Sequence, residues 1–285
     1  MLIVAAVFSF LVQALANKEM ARRFDPAPAG TYLYSAIGLS LIPLVLAFFG
    51  SWALRDPRTL LLAALFGVAF AATIALMVKC MREGPLSLTS LFVGLSVLLP
   101  VAVGALFFGE AITLSKAAGL LCVLSVVVLS SRGGGSQRPS GRWVRLALLM
   151  MVCNGMLSVL QKAQGAWLGA GDDWSFQFYG FLVAALCFWA LLLGQTARRR
   201  LSLAPWRSPW LPALSAALGA GTLVGNAAVM MALRTIPAVV AFPSITGALV
   251  ALTWVVSLAL YREPFRVQGL VSLLVGLAGI VLLSV

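Results

Sequence analysis

The chain has no histidine, only eight carboxylates against twenty Lys and Arg, and four cysteines in 285 residues. Without histidine it lacks the commonest metal ligand, general base and proton shuttle. Cys80, Cys122, Cys153 and Cys187 fall inside apolar runs at spacings that match no metal motif, and read as small buried hydrophobes. The sequence therefore calls for no cofactor and no metal. Charge is also absent from the centres of the long apolar runs. Glu19, Asp25, Asp56, Glu83, Glu110, Asp172, Asp173 and Glu263 all stand at run ends or in connections. A carboxylate deep in the membrane, of the kind that trades a proton for a cation, is not there. An intramembrane enzyme would likewise have no paired interior carboxylates and no metal-ligand cluster to work with.

Apolar sequence fills the space that charge leaves. With 62% hydrophobic and 10% charged residues, the chain is made for lipid rather than water. Backbone groups in hydrocarbon must be satisfied internally, so apolar runs of roughly 17 to 25 residues there become helices. The runs lie near 1–21, 30–50, 59–80, 86–108, 112–130, 143–166, 174–196, 209–232, 237–260 and 265–285. The fold expected is an all-α membrane protein of ten transmembrane helices, with almost nothing left for a soluble domain. Run one ends in Ala14-Leu15-Ala16, which looks like a signal cleavage site, but it lacks a basic n-region and run six repeats its ending. It is read as a helix that stays.

The formal charge of +12 would suggest nucleic acid in a soluble protein. Here the basic residues crowd into short connections and are better read as anchors on anionic headgroups, so the partners expected are a lipid bilayer and a small-molecule substrate, with no nucleic acid. Of the twenty Lys and Arg, fifteen fall at odd-numbered connections, among them Arg198-Arg199-Arg200, and five on the other side. The positive-inside rule then puts the termini together on the outside of a plasma membrane, the inner membrane of a bacterium. The sequence leaves monomer or dimer open.

The runs divide into two halves with recurring punctuation. Asn17-Lys18, Arg82 with Pro85, and Gly109-Glu110 in the first correspond to Gln161-Lys162, Arg234 with Pro237, and Arg262-Glu263 in the second. Residues 1–131 form one five-helix repeat, 132–142 a Gly-rich linker and 143–285 the second repeat. Five is odd, so the second repeat enters the membrane from the opposite side and the two are inverted, an arrangement that secondary transporters use to obtain two related conformations around a midplane site.

Polar residues on particular faces mark where that site would be. Ser9, Gln13 and Asn17 recur every four residues on helix one, and Asn154, Ser158 and Gln161 make a matching stripe on helix six. Thr222 and Asn226, then Ser87, Ser90 and Gly94, then Thr246 and Thr253 add to it. Such stripes face either a neighbouring helix, through hydrogen bonds of about 0.6 to 2 kcal/mol, or a water-filled cavity. Their coincidence on helices one and six favours a shared cavity. Gln13, Asn17, Asn154, Ser158, Gln161 and Asn226 are the polar candidates for it; Tyr34, Phe92, Tyr179, Phe242 and Trp254 are the aromatic ones. An aromatic cage could hold an organic cation by cation–π attraction without any carboxylate. Trp143, Trp167, Trp174, Trp206 and Trp210, near run ends, are expected in the interfacial belt. Gly165 with Gly169 and Gly221 with Gly225 are expected to let helices approach closely. Pro43, Pro100, Pro212 and Pro243 fall within runs, where proline breaks a hydrogen bond. Lys18 and Lys162 either rim the two mouths or snorkel to headgroups. Glu110 and Glu263 are expected to serve a helix N-terminus structurally.

Gly84-Pro85 through Phe107-Phe108-Gly109-Glu110 to Gly119, and the echo from Pro237 through Tyr261-Arg262-Glu263 to Gly269, resemble the ten-helix EamA-like branch of the drug/metabolite transporter superfamily. Arg262, where a small residue is usual, departs from that pattern. The resemblance implies a basket-like bundle with a central cavity lined mainly by helices one, three, four, six, eight and nine, and export as the commoner direction. It also implies cytoplasmic termini, against which the threefold charge bias is given the greater weight. The function expected is secondary transport of a small organic metabolite or drug by alternating access. A quaternary-ammonium or other organic-cation carrier with an aromatic cage is the alternative, and a non-transporting membrane scaffold a more remote one.

Overall fold

A computed structural model describes residues 1–23, 28–50, 52–83, 86–131, 140–197, 208–261 and 267–284. The Gly-rich stretch 132–139, Gly84-Pro85, the Arg198 triplet, Trp206 and Arg262-Glu263 lie outside these residues. Within them the chain forms α1 (Leu2–Arg23), α2 (Pro28–Phe48), α3 (Arg58–Glu83), α4 (Leu86–Leu95), α5 (Leu98–Phe107), α6 (Leu114–Ser131), α7 (Gly141–Ala163), α8 (Asp173–Ala197), α9 (Trp210–Ala232), α10 (Ala238–Tyr261) and α11 (Val267–Ser284). Six of these are long and apolar enough to cross a membrane (α1, α2, α3, α7 with the turn that follows it, α8 and α9), and α4–α5, α6, α10 and α11 contain shorter apolar segments.

Run four is broken at Ser96-Val97, and Pro100 explains the position. A proline cannot donate to the carbonyl four residues back and its ring crowds that carbonyl, which here belongs to Ser96. The chain answers with a tight turn in which Leu99 N–H donates to Ser96 O at 3.1 Å. Pro100 and Pro212 thus occupy first turns of helices, where a missing donor is harmless, while Pro43 and Pro243 are interior. α7 begins with a Ser140 cap, its Oγ accepting from Trp143 N–H at 3.2 Å, and ends in a π turn, Gln164–Leu168, before Gly169 at φ 72°. Gly169 thus serves a turn, and a Cβ at either Gly165 or Gly169 would meet nothing within 4 Å, so this pair mediates no close approach.

Close approach occurs elsewhere. A Cβ on Gly67 would lie 2.3 Å from Gly180 O, so α3 and α8 touch backbone to backbone. Gly221 meets the α1 backbone at Ser9 and Gln13, and Gly225 meets the Phe10 ring, seating α9 on α1 as expected for packing within one chain. The aromatic heart of the bundle is Phe66, Phe70, Phe176 and Phe181 between α3 and α8. Trp143 belongs to the interior rather than the belt: it is 1% exposed and its Nε1–H donates to Cys80 O at 2.9 Å, a bond available because α7 starts where α3 ends. Trp167, Trp174 and Trp210 are exposed.

Helix packing runs between the two halves of the chain. α1 lies on α9 and α3 on α7; α2 lies on α8 and α9, with α8 also on α3; α4 and α5 lie on α7, and α10 on α1; α5 meets α10, and α6 meets α11. One end of the bundle carries Met1, residues 49–50 and 52–57, the 108–113 connection, the π turn and the start of α10. The opposite end carries Arg23, whose guanidinium lies over the Trp210 ring at 4.1 Å, and the Arg142–Glu83 ion pair at 3.3 Å. The first end is the Met1 face and the second the Arg23 face.

Candidate functional site: a central cavity

Between the halves lies a cavity of about 700 Å³. α1 presents Phe10, Gln13, Ala14 and Asn17 to it, and α7 presents Asn154, Leu157, Ser158 and Gln161. Each set repeats at intervals of three and four, as one face of a helix must. α3 adds Phe70, Thr73 and Ile74; the broken span adds Val93, Gly94, Ser96 and Val97; α9 adds Asn226 and Val229. α10 supplies the longest wall, from Phe242 and Ile245 through Thr246 to Thr253. Among the described residues no charged side chain lines it.

The amides fall into two groups. Gln161 and Asn226 hold each other: Gln161 Nε2 donates to Asn226 Oδ1 at 2.6 Å, and Asn226 Nδ2 donates to Thr222 O at 2.7 Å. Asn154 Nδ2 donates to Ser96 Oγ at 2.6 Å, which ties α7 to the break in span four. The side chains of Gln13, Asn17 and Ser158 make no hydrogen bond to another described residue, and all three line the cavity.

The sequence-derived candidates thus divide. Gln13, Asn17, Asn154, Ser158, Gln161, Asn226 and Phe242 come together on this one cavity. Tyr34 does not reach it, being 2% exposed among the core residues of α2. Phe92 packs edge-on against Trp143, ring centroids 5.7 Å apart, on the far side of α4. Tyr179 hydrogen-bonds through its hydroxyl to Trp52 O at 2.9 Å, beside the Met1 face. The Trp254 side chain lies outside the described residues. An amphipathic stripe shows which side of a helix is polar, but an aromatic ring satisfies core, belt and cavity alike, so the aromatic candidates scattered. Phe10, Phe70, Thr73 and Ser96, which the polar stripes do not mark, also line the cavity. Thr73, a hydroxyl alone in an apolar stretch, was a legible signal; its Oγ1 donates to Ala69 O at 2.8 Å.

Toward the Met1 face the cavity ends at charged and capped groups. Glu110 accepts from Ala238 N–H and Val239 N–H, both at 2.9 Å, and pairs with Lys162 at 2.8 Å. The expected helix N-terminus is there, but it belongs to α10 rather than to the helix that follows Glu110. Lys162 turns to this carboxylate rather than snorkelling to headgroups, being only 15% exposed. Beside it, Asp172 accepts from Arg55 N–H at 2.9 Å and Asp56 N–H at 2.7 Å, and Asp173 pairs with Arg234. Among the described residues no cluster of His, Cys, Asp and Glu could hold a metal ion.

Residues 1–132 match the model of the EamA-like transporter family. No curated protein matches the chain. A solved crystal structure superposes with a TM-score of 0.76 over 99% of this chain and 94% of that one, at 17% identity, a likeness that concerns the fold alone.

Proposed function

We propose, from the match of residues 1–132 to the EamA-like transporter family of the drug/metabolite transporter superfamily, that the chain is an alternating-access exporter of a small organic solute. It is a multi-pass membrane protein. The observation that carries the finer reading is the uncharged, amide-rich cavity of about 700 Å³ at the meeting of α1, α7, α9 and α10. Such a lining suits a neutral or zwitterionic solute with an apolar body: Gln13, Asn17 and Ser158 offer unspent hydrogen bonds, and Phe10, Phe70 and Phe242 offer apolar surface.

The packing supports two inverted repeats. If the first half is laid on the second, α1 corresponds to α7, α2 to α8, α3 to α9, α4–α5 to α10, and α6 to α11. Under that exchange the pair α1 and α9 becomes α7 and α3, the pair α2 and α9 becomes α8 and α3, and α6 with α11 maps onto itself, all of which are packed pairs. Two halves that can trade arrangements are what alternating access requires. On this reading 1–131 and 143–285 are the repeats joined by 132–142, and the Met1 face, which bears the five basic residues of the even-numbered connections, is the outer side.

The test is ligand-induced stabilisation of purified protein across amino acids, nucleosides, amines and dyes, followed by uptake into vesicles. Binding to the native state raises stability by RT ln(1 + [L]/Kd). The reading expects a neutral or zwitterionic hit whose effect disappears in Gln13→Ala and Asn17→Ala. A hit confined to quaternary amines and abolished by Phe242→Ala would replace it with the organic-cation reading.

A further inference from the structure

Glu110 is built into its position with some care. α5 ends at Phe107, the chain turns through Gly109 at φ 64°, and the N–H groups of Phe108 and Glu110 both return to Gly104 O, at 3.2 and 3.1 Å. That fold-back sends the carboxylate across to another span. One oxygen takes Ala238 N–H and Lys162 Nζ, the other takes Val239 N–H. Gly104 leaves the room this needs, since a Cβ there would lie 2.8 Å from Glu110 Oε2. A single carboxylate, 8% exposed, therefore joins α5, α7 and α10.

Its place relative to the cavity gives that junction a consequence. Lys162 directly follows Gln161, and Phe242 follows Val239 by three residues; Gln161 and Phe242 both line the cavity. The tie stands between the cavity and the Met1 face, and it is made of groups that water can satisfy as soon as they part. A solute leaving by that face must pass where α5, α7 and α10 are held together.

We propose that Glu110 is the latch of the Met1 face: while its carboxylate holds Lys162 and the α10 N-terminus the cavity is shut on that side, and its release lets α10 swing from α5 and α7 to open it. The latch rests on the alternating-access reading but is tested apart from it.

The experiment uses protein whose four cysteines are replaced by alanine and which carries Ser158→Cys as a cavity reporter, in vesicles of known orientation, with a membrane-impermeant maleimide added on one side. Glu110→Gln, Lys162→Met and Gly104→Ala each raise the reaction rate from the Met1 face by about tenfold or more, because each weakens the same closed state. Gly104→Ala changes no charge, so its effect reports displacement of the carboxylate. The Glu110→Gln/Lys162→Met pair adds little to either single change, as expected of two partners in one contact. Cross-linking Glu110→Cys to Ala238→Cys, with the reporter protected beforehand and then unmasked, abolishes reaction from the Met1 face and stops transport. An unchanged Met1-face rate in both Glu110→Gln and Gly104→Ala, with the reporter still reactive from the Arg23 face, overturns the latch and leaves the transporter reading intact. A reporter inert from both faces in every variant overturns the cavity itself, and the latch with it.

Discussion

Gln161 and Asn226 are tied by a side-chain hydrogen bond, whereas Gln13 and Asn17 are not, and the two pairs should respond differently to truncation. Gln161→Leu leaves the Asn226 oxygen without its donor and is expected to cost about 1 kcal/mol of stability, read as a lower unfolding temperature in detergent. Gln13→Ala should leave that temperature nearly unchanged and weaken solute binding about tenfold, a loss of about 1.4 kcal/mol, read by titration of whichever solute the stability screen identifies. If Gln13→Ala unfolds the protein and Gln161→Leu does not, the division between structural and binding amides is wrong. Glu110 adds a pH dependence. Burial by itself would raise its carboxyl, but the hydrogen bond to Lys162 and the N–H groups of Val239 and Ala238 prevail and hold it below the usual carboxylate range. Lys162 faces it from α7, and α5 and α10 carry no charged residue. A carboxylate with a lowered folded pKa contributes its full stabilisation above the ordinary value and loses it as pH falls through the lowered one. Met1-face access to the Ser158→Cys reporter, corrected for thiolate content, should therefore stay flat from about pH 8 to about pH 5 and rise only in stronger acid. A rise centred near neutrality would contradict it.

At the scale of elements, glycines and prolines decide how the helices meet. Gly67→Ala forces α3 off the α8 backbone, and overpacking of this kind costs about 1 to 3 kcal/mol. Gly165→Ala, with nothing within 4 Å of the new methyl, should be neutral or slightly stabilising. Thermal unfolding of the two variants side by side checks the contrast, and equal losses would mean that α3 and α8 do not touch as described. The broken fourth span shows how one residue shapes a site. Pro100 stops the helix at Ser96, and the interruption turns the Ser96 hydroxyl toward Asn154 on α7. Prolines inside the runs were visible beforehand, and so was their capacity to break a hydrogen bond. Which of them would interrupt a span and which would sit harmlessly in a first turn depended on where each helix began, and helix starts at membrane depth carry little local signal.

At the scale of the whole molecule, the alternation of faces makes a prediction that needs no ligand. Arg55 and Arg142 are exposed at opposite ends of the bundle. In intact cells an impermeant thiol reagent should modify Arg55→Cys and spare Arg142→Cys until the membrane is opened. The reverse result would place the termini in the cytoplasm, as the family resemblance implies, and set aside the charge count.

The amide stripes of α1 and α7 were legible in the sequence because helical periodicity ties residue spacing to direction, and a polar group in lipid must have somewhere to point. The apolar runs, the uncharged run centres and the recurring punctuation were legible for the same reason: each is a local pattern answering to a uniform solvent. Tertiary structure alone decided that Phe92 and Tyr179 stand away from the cavity and that Phe10 and Phe70 line it, since a ring gains nearly as much from one apolar neighbour as from another. It alone brought Glu110 to an α10 N-terminus 128 residues away, because a carboxylate's choice of partner depends on which helix end the packing delivers.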